Sequence, residues 1–271
     1  MSGVRSVYRV EVEKLLAQRR TWLVAAACLL AAPALLAMLP LSSGLPTDTL
    51  FGRQLRDTGF ATPLLLLTFC GLWVLPILSA LVAGDICSSE DAYGTWQLLL
   101  TRSVSRSQVF AGKALAAATW ALLTGALLAG SSLLAGVLVV GTQPLLDLSG
   151  AALPAGRATL LVLAGWATAL PPVLACTALA LLLSVAARNS VVGTVGAVVL
   201  VLLMQLGSQF GPPGPLRNAL LPTAFGAWHG LLLQTPTYRP LLIGVLVSSV
   251  WTLGCLLAAR SLLLRRDVAV A

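Results

Sequence analysis

The chain has 271 residues, of which 58% are hydrophobic and only 10% charged. A soluble domain carries about 25% charged residues, so this composition excludes an ordinary soluble fold and points to a chain that crosses a membrane repeatedly. The net charge of +8 would suggest nucleic acid in a soluble protein. Here it is the Lys/Arg excess that membrane proteins keep on the cytoplasmic side, and no nucleic-acid partner is expected.

Residues 4–20 read as an amphipathic helix. Val4, Val7, Tyr8, Val12, Leu15 and Leu16 fall on one face, and Arg5, Arg9, Glu13 and Lys14 fall elsewhere. Such a helix lies in the membrane interface with its bases toward lipid headgroups. Arg19, Arg20 and Trp22 mark the boundary of a first span over 21–41, with Pro33 inside it. That apolar run follows a long charged segment and precedes no A-x-A cleavage site, so no removable signal peptide is expected. A polar loop over 42–62, carrying Asp48, Arg53, Arg56 and Asp57, leads to a second span over 63–83 that contains Pro76.

The segment 84–106 is polar. It begins with Asp85, Glu90 and Asp91 and ends with Arg102 and Arg106, just ahead of Lys113. Ser88 and Asp91 have capping-box spacing, so a helix is predicted to start near Ser89 with acids at its positive end. Tyr93, Trp96 and Leu100 recur at helical spacing and give it an apolar face. Ser105 and Gln108 repeat the capping pattern and start the next helix. The third span, 107–140, is longer than a 30 Å hydrocarbon core needs, so its first turns with Lys113 are expected to project into the cytoplasm. Within it, Ser132 and Gly136, and Ala126 and Gly130, are small-xxx-small pairs that seat neighbouring helices.

A turn-rich loop over 141–157 leads to a fourth span over 158–186, predicted to break at Pro171-Pro172. Arg188-Asn189 makes a short return to a fifth span over 191–210, which carries Gln205 and Gln209 at i, i+4. These two glutamines suit either a translocation path or a hydrogen bond between helices, with packing favoured. Gly211 to Pro215 (GPPGP) stops that helix. Residues 216–240, with Arg217, Trp228 and the sole histidine, His229, are too interrupted to span and read as re-entrant or interfacial helices. His229 reads as an interfacial belt residue. The sixth span covers 241–264 and ends at Arg265-Arg266. The predicted fold is therefore all-α: a single polytopic domain of six transmembrane helices, an interfacial N-terminal helix and a re-entrant segment.

With the N-terminus inside, twelve bases fall on the inner side (Arg5, Arg9, Lys14, Arg19, Arg20, Arg102, Arg106, Lys113, Arg188, Arg260, Arg265, Arg266) and five on the outer (Arg53, Arg56, Arg157, Arg217, Arg239). Both termini and the 84–106 segment are then cytoplasmic. Arg far outnumbers Lys, which points to a GC-rich bacterial genome and so to a bacterial inner membrane. The five cysteines include no pair at metal-ligand spacing, so neither a disulfide framework nor a zinc site is read. No G-x-x-x-x-G-K-[ST] phosphate loop occurs, since Ala111-Gly112-Lys113-Ala114 lacks the upstream Gly and the hydroxyl. No G-x-S-x-G or H-E-x-x-H catalytic set occurs either. The span centres hold no Asp, Glu, Lys or Arg. That weakens an ion-coupled secondary transporter, which commonly keeps such groups, and leaves a non-transporting membrane anchor as a further class.

The acid before Tyr93-Gly94-Thr95, then Leu98-Leu99-Leu100-Thr101, Val104-Ser105-Arg106 and Gly112-Lys113, resembles the second-to-third-span loop of ABC type-2 permeases. Arg102-Ser103 stands where that family commonly has a proline. The resemblance covers about thirty residues. It implies that Glu90, Asp91, Tyr93, Gly94, Trp96, Leu100 and Arg106 form a coupling helix that docks on a separate ATP-binding subunit. It also implies that ATP and Mg are bound by that subunit rather than by this chain. Further implications are a second permease copy or paralogue across the membrane, with the first and fifth spans at the interface, and export of a drug, peptide or lipid. The leading helix then either lies on the membrane or touches the ATPase. Trp96 reads as a docking anchor, with a headgroup anchor as the alternative, and Gly94 allows close backbone approach.

Overall fold

The computed structural model describes residues 3–39, 50–96, 104–211, 214–233 and 235–265. It is all-α, with six helical stretches long and apolar enough to cross a membrane among those residues. α1 (Gly3–Ala17) is followed, after one extended residue at Gln18, by α2 (Arg19–Met38), the first crossing. α3 (Leu50–Arg53) precedes the second crossing, which is composite: α4 (Ala61–Phe69), a wide π turn (Cys70–Val74) and α5 (Leu75–Ala83). Pro76 sits in the first turn of α5, where its missing N–H costs least. α6 (Ser88–Ala92) continues beyond a turn at 84–87.

The third crossing is α7 (Arg106–Val139), opened by the predicted Ser105–Gln108 capping box, with both reciprocal bonds formed. A two-stranded hairpin, β1 (Leu145–Leu146) and β2 (Ala152–Leu153), leads into α8 (Ala155–Ala187). α8 runs through Pro171-Pro172 without the predicted break. Packing on both flanks holds the helix where two N–H groups are missing. Arg188 ends it in the left-handed conformation, φ 54°. A π turn (Val192–Gly196) and α9 (Ala197–Gln209) form the fifth crossing, and α12 (Arg239–Arg265) the sixth. Between them lie α10 (Gly214–Ala219), α11 (Leu221–Phe225) and a 3-10 turn (Ala227–Leu232). This interrupted segment is tucked inward, burying Leu221, Phe225, Trp228 and Leu232.

Two apolar clusters organise the bundle, one toward each end. At the end away from α1, Phe51, Phe60, Leu64, Trp166 and Trp228 pack together beneath the hairpin. Gln54 closes that end by exchanging bonds with the backbone of Leu146, at 3.2 and 2.9 Å, while Thr58 donates to Gln143 O at 2.7 Å. At the α1 end the cluster holds Val7, Leu15, Trp96, Phe110, Trp120 and Leu181.

Backbones approach most closely where glycines face each other. A Cβ on Gly136 would lie 2.2 Å from Gly59 O, and Ser132 one turn away is buried, so this small-residue pair seats a neighbour as expected. The other pair does not, because Ala126 and Gly130 face outward and nothing lies within 4 Å of a Cβ at Gly130. At a second contact the end of α5 meets the π turn before α9, where a Cβ on Gly84 would lie 2.4 Å from Gly193 C. Close backbone approach replaces the hydrophobic driving force that lipid removes. Gly84→Val should therefore force the fifth crossing outward and cost about 1–3 kcal/mol. Thermal unfolding in detergent measures this, and Gly130→Ala, which meets open space inside a helix, should not lower the midpoint.

Candidate functional site

The polar elements at the α1 end converge on a cluster of four charges. On α1 the buried line is Val7, Glu11, Leu15, at i, i+4, i+8, so an acid sits in the middle of the apolar face. The predicted face is only partly right: Leu16 is half-exposed and Glu11, absent from that prediction, is buried. The face packs on the first turns of α7, where Gly112 leaves room for Val7 and Tyr8, and Tyr8 Oη shares a hydrogen bond with Thr119 Oγ1 at 3.2 Å.

Lys113 lies beneath it. Its side chain is 0% exposed, so this base in the first turns of the long third helix is enclosed by protein rather than solvated. Three acceptors surround Nζ: Glu11 Oε1 at 3.0 Å, Glu90 Oε1 at 2.9 Å and Ile86 O at 2.8 Å. Three is the full donor capacity of an ammonium. Lys14 Nζ reaches the same two carboxylate oxygens, at 3.0 Å for Glu11 and 2.8 Å for Glu90. Two ammoniums and two carboxylates thus alternate in a ring that joins α1, α6 and α7. Burial works against the charge of Lys14, but Glu90 and Glu11 outweigh it and hold the ammonium above its ordinary pKa. Thr95 Oγ1 donates to the second oxygen of Glu90.

A second charged link lies one turn away. Arg20 pairs with Asp85, whose other oxygen accepts from Ser190 Oγ at 2.6 Å. Ser88 N donates to Ser184 Oγ at 3.0 Å. The start of α2, the 84–88 turn and the α8–α9 connection are therefore pinned together. Between α1 and α5–α6 an open groove of about 770 Å³ remains, walled by Val10, Leu15, Val82, Ser89, Tyr93 and Thr95.

The predicted coupling residues are divided among these features. Glu90 is a buried member of the charge ring rather than an exposed acid, while Asp91 is half-buried on α6. Ser88 does not cap α6: Cys87 is the N-cap, and Ser88 Oγ donates back to Gly84 O at 3.0 Å. Tyr93 and Trp96 do not share one face. α6 ends at Ala92, and Gly94 turns the chain through φ 64°, so Tyr93 is 80% exposed while Trp96 is 7% exposed and belongs to the chain's own core. Leu100, like Arg102 and Arg266, lies outside the described residues. Arg106 is the half-buried first residue of α7.

Gln205 and Gln209 lie toward the other end, where they line a cavity of about 530 Å³ with Thr68, Ser208, Arg217 and His229. His229 stacks on Trp228 with ring centroids 3.9 Å apart, and its Nδ1 lies 2.8 Å from Gly226 O. Among the described residues no group of three or more His, Cys, Asp or Glu is placed to hold a metal ion.

Sequence reasoning missed Glu11 and Lys14 as partners of the coupling segment. The signal was present: Glu11 sits four residues from both Val7 and Leu15, an acid on an apolar line. Lys113→Met should cost about 3–5 kcal/mol, because Glu11 and Glu90 would stay buried with only the half-exposed Lys14. Adding Glu11→Gln restores one ammonium to one carboxylate and should recover part of the loss. Thermal unfolding of the two single variants and the double variant checks this through non-additivity.

A family model described as ABC-2 family transporter protein matches residues 8–205. No match is found among the curated proteins. The matched region begins within α1 and ends within α9, so it covers the charge ring, the first four crossings and most of the fifth.

Proposed function

The chain belongs to the ABC-2 transporter family, and on that premise we propose that it is the permease subunit of an ATP-driven exporter in a bacterial inner membrane, working as a dimer with a separate ATPase under each half. Family membership makes it a membrane transport component with an ABC ATP-binding partner. The direction of transport, the substrate class and the docking residues are our reading.

One observation carries that reading: the charge ring makes α1, α6 and the start of α7 a single unit at one end of the bundle. A partner that pushes on α6 therefore pushes on α7 and, through the one-residue link at Gln18, on α2 as well. The groove beside α1 receives the partner, with Tyr93 as the exposed anchor and Gly94 at the tip. Trp96 supports the platform from within. ATP and Mg stay on the partner, and this chain alone hydrolyses no ATP. The substrate is apolar or amphipathic, because the span centres carry no charge, and Gln205 and Gln209 line its path at the far end. α2 and α9 expose Leu23, Leu30, Leu203 and Leu206 sideways, which suits the first and fifth crossings as the dimer interface.

Tyr93→Ala should reduce co-purified ATPase about thirtyfold in affinity, the usual scale for a truncated anchor of about 2 kcal/mol, with no change in thermal midpoint. Trp96→Ala should lower the midpoint by losing core packing. Gly94→Asn, which tolerates the left-handed conformation, should retain the partner where Gly94→Leu does not. Transport and retained ATPase at matched membrane levels decide the matter. Unchanged retention for both Tyr93→Ala and Gly94→Leu would leave this segment as a tether between spans. An ion-gradient requirement without any retained ATPase would favour a secondary transporter.

A further inference from the structure

We infer that this chain carries a binding groove for one acyl chain of an anionic phospholipid, between α7, α8 and α12. The groove has a volume of about 500 Å³, inside the range of about 300–1,000 Å³ typical of small-molecule sites. Its floor is made by Phe110 on α7 and Leu181 on α8, both buried, and its walls by Ala114, Leu115, Leu174 and Leu256. It opens sideways from the bundle, on a face formed by the third, fourth and sixth crossings. The wall is almost wholly apolar. Its one buried hydroxyl, Thr177, is already satisfied by Val173 O at 2.8 Å. Nothing within the groove therefore asks for a polar ligand, and in a bilayer a hydrocarbon chain fills it.

The mouth differs from the walls. Arg260, on the last turns of α12, is exposed there, and its Nε donates to Ser107 Oγ on the first turn of α7 at 3.2 Å. That bond spends one donor and fixes the direction of the guanidinium, and its Nη groups keep the geometry that matches a phosphate. A cation at the end of an apolar groove that opens into lipid has the charge and the shape of an anionic headgroup joined to an acyl chain. The same end of the bundle carries Arg106 and Arg265, whose field draws anionic lipid toward that leaflet by about 1 kcal/mol per base. Zwitterionic lipid gains the acyl contact but not the net charge. The bound lipid would wedge α12 against α7 beside the charge ring, without occupying any part of it.

The test uses the full chain in nanodiscs of phosphatidylcholine containing one fifth phosphatidylglycerol. In one sample the phosphatidylglycerol carries an acyl-chain diazirine; in the other the same trace probe is on phosphatidylcholine. After irradiation, peptides are mapped by mass spectrometry. The expected result is preferential labelling of residues 107–118 and 252–260 by the anionic probe, about fivefold over the zwitterionic one, as one base near the surface implies. Arg260→Gln should remove that preference and Arg260→Lys should keep most of it. Ala114→Trp, which fills the groove and leaves the mouth intact, should lower labelling by both probes. Equal labelling by the two probes in the native chain overturns the proposal, as does a preference that survives Arg260→Gln. Failure of both probes to label these peptides, as when a second copy of the chain covers the face, overturns it equally.

Discussion

A lysine with no exposed side-chain surface constrains the whole α1 end of this protein. An ammonium stripped of water is costly unless it is fully paired. Lys113 meets that condition only when α1 brings Glu11, α6 brings Glu90 and the turn before α6 offers Ile86 O. Three elements separated in sequence by up to a hundred residues are thus required to arrive together. A partly assembled arrangement would leave a carboxylate or the ammonium unpaired in a dry site. The ring therefore acts less as a source of net stability than as a device that permits one arrangement.

Other contacts extend that constraint through the bundle. Arg20, Asp85 and Ser190 tie the first crossing, the second and the α8–α9 connection at the same level. Gly84 on Gly193 allows the backbones to meet just beside them. The opposite end is closed by different means: neutral hydrogen bonds from Gln54 and Thr58, and a buried Trp228 under the hairpin. One end is held by charge and stiff geometry, the other by apolar packing and backbone bonds.

Both π turns, at Cys70–Val74 and Val192–Gly196, lie in crossings that adjoin these contacts. A π turn widens the helix by one residue and shifts the phase of everything beyond it. In the second crossing it lets Pro76 open a fresh helical segment, and in the fifth it sets Gly193 toward Gly84. Neither is written in a hydrophobic pattern, because both follow from how neighbouring backbones fit.

The sequence by itself determined the number of crossings, the amphipathic leading helix, the Ser105–Gln108 cap and the short interrupted segment before the last crossing. Each depends on local chemistry: an apolar run of sufficient length, a helical period, a hydroxyl three residues before an amide, a cluster of prolines. It also grouped Glu90, Tyr93, Gly94 and Trp96 in one short polar stretch. Their surroundings were decided only in three dimensions. A left-handed residue at Gly94 separates Tyr93 from Trp96, so spacing that looked like one face became an exposed ring and a buried one. The partners of Lys113 were not legible because they lie on α1 and α6, and pairing between distant segments leaves no local period. Whether a charge is solvated or locked is a property of what surrounds it, and here only the packing of α1 on α7 supplies that surrounding.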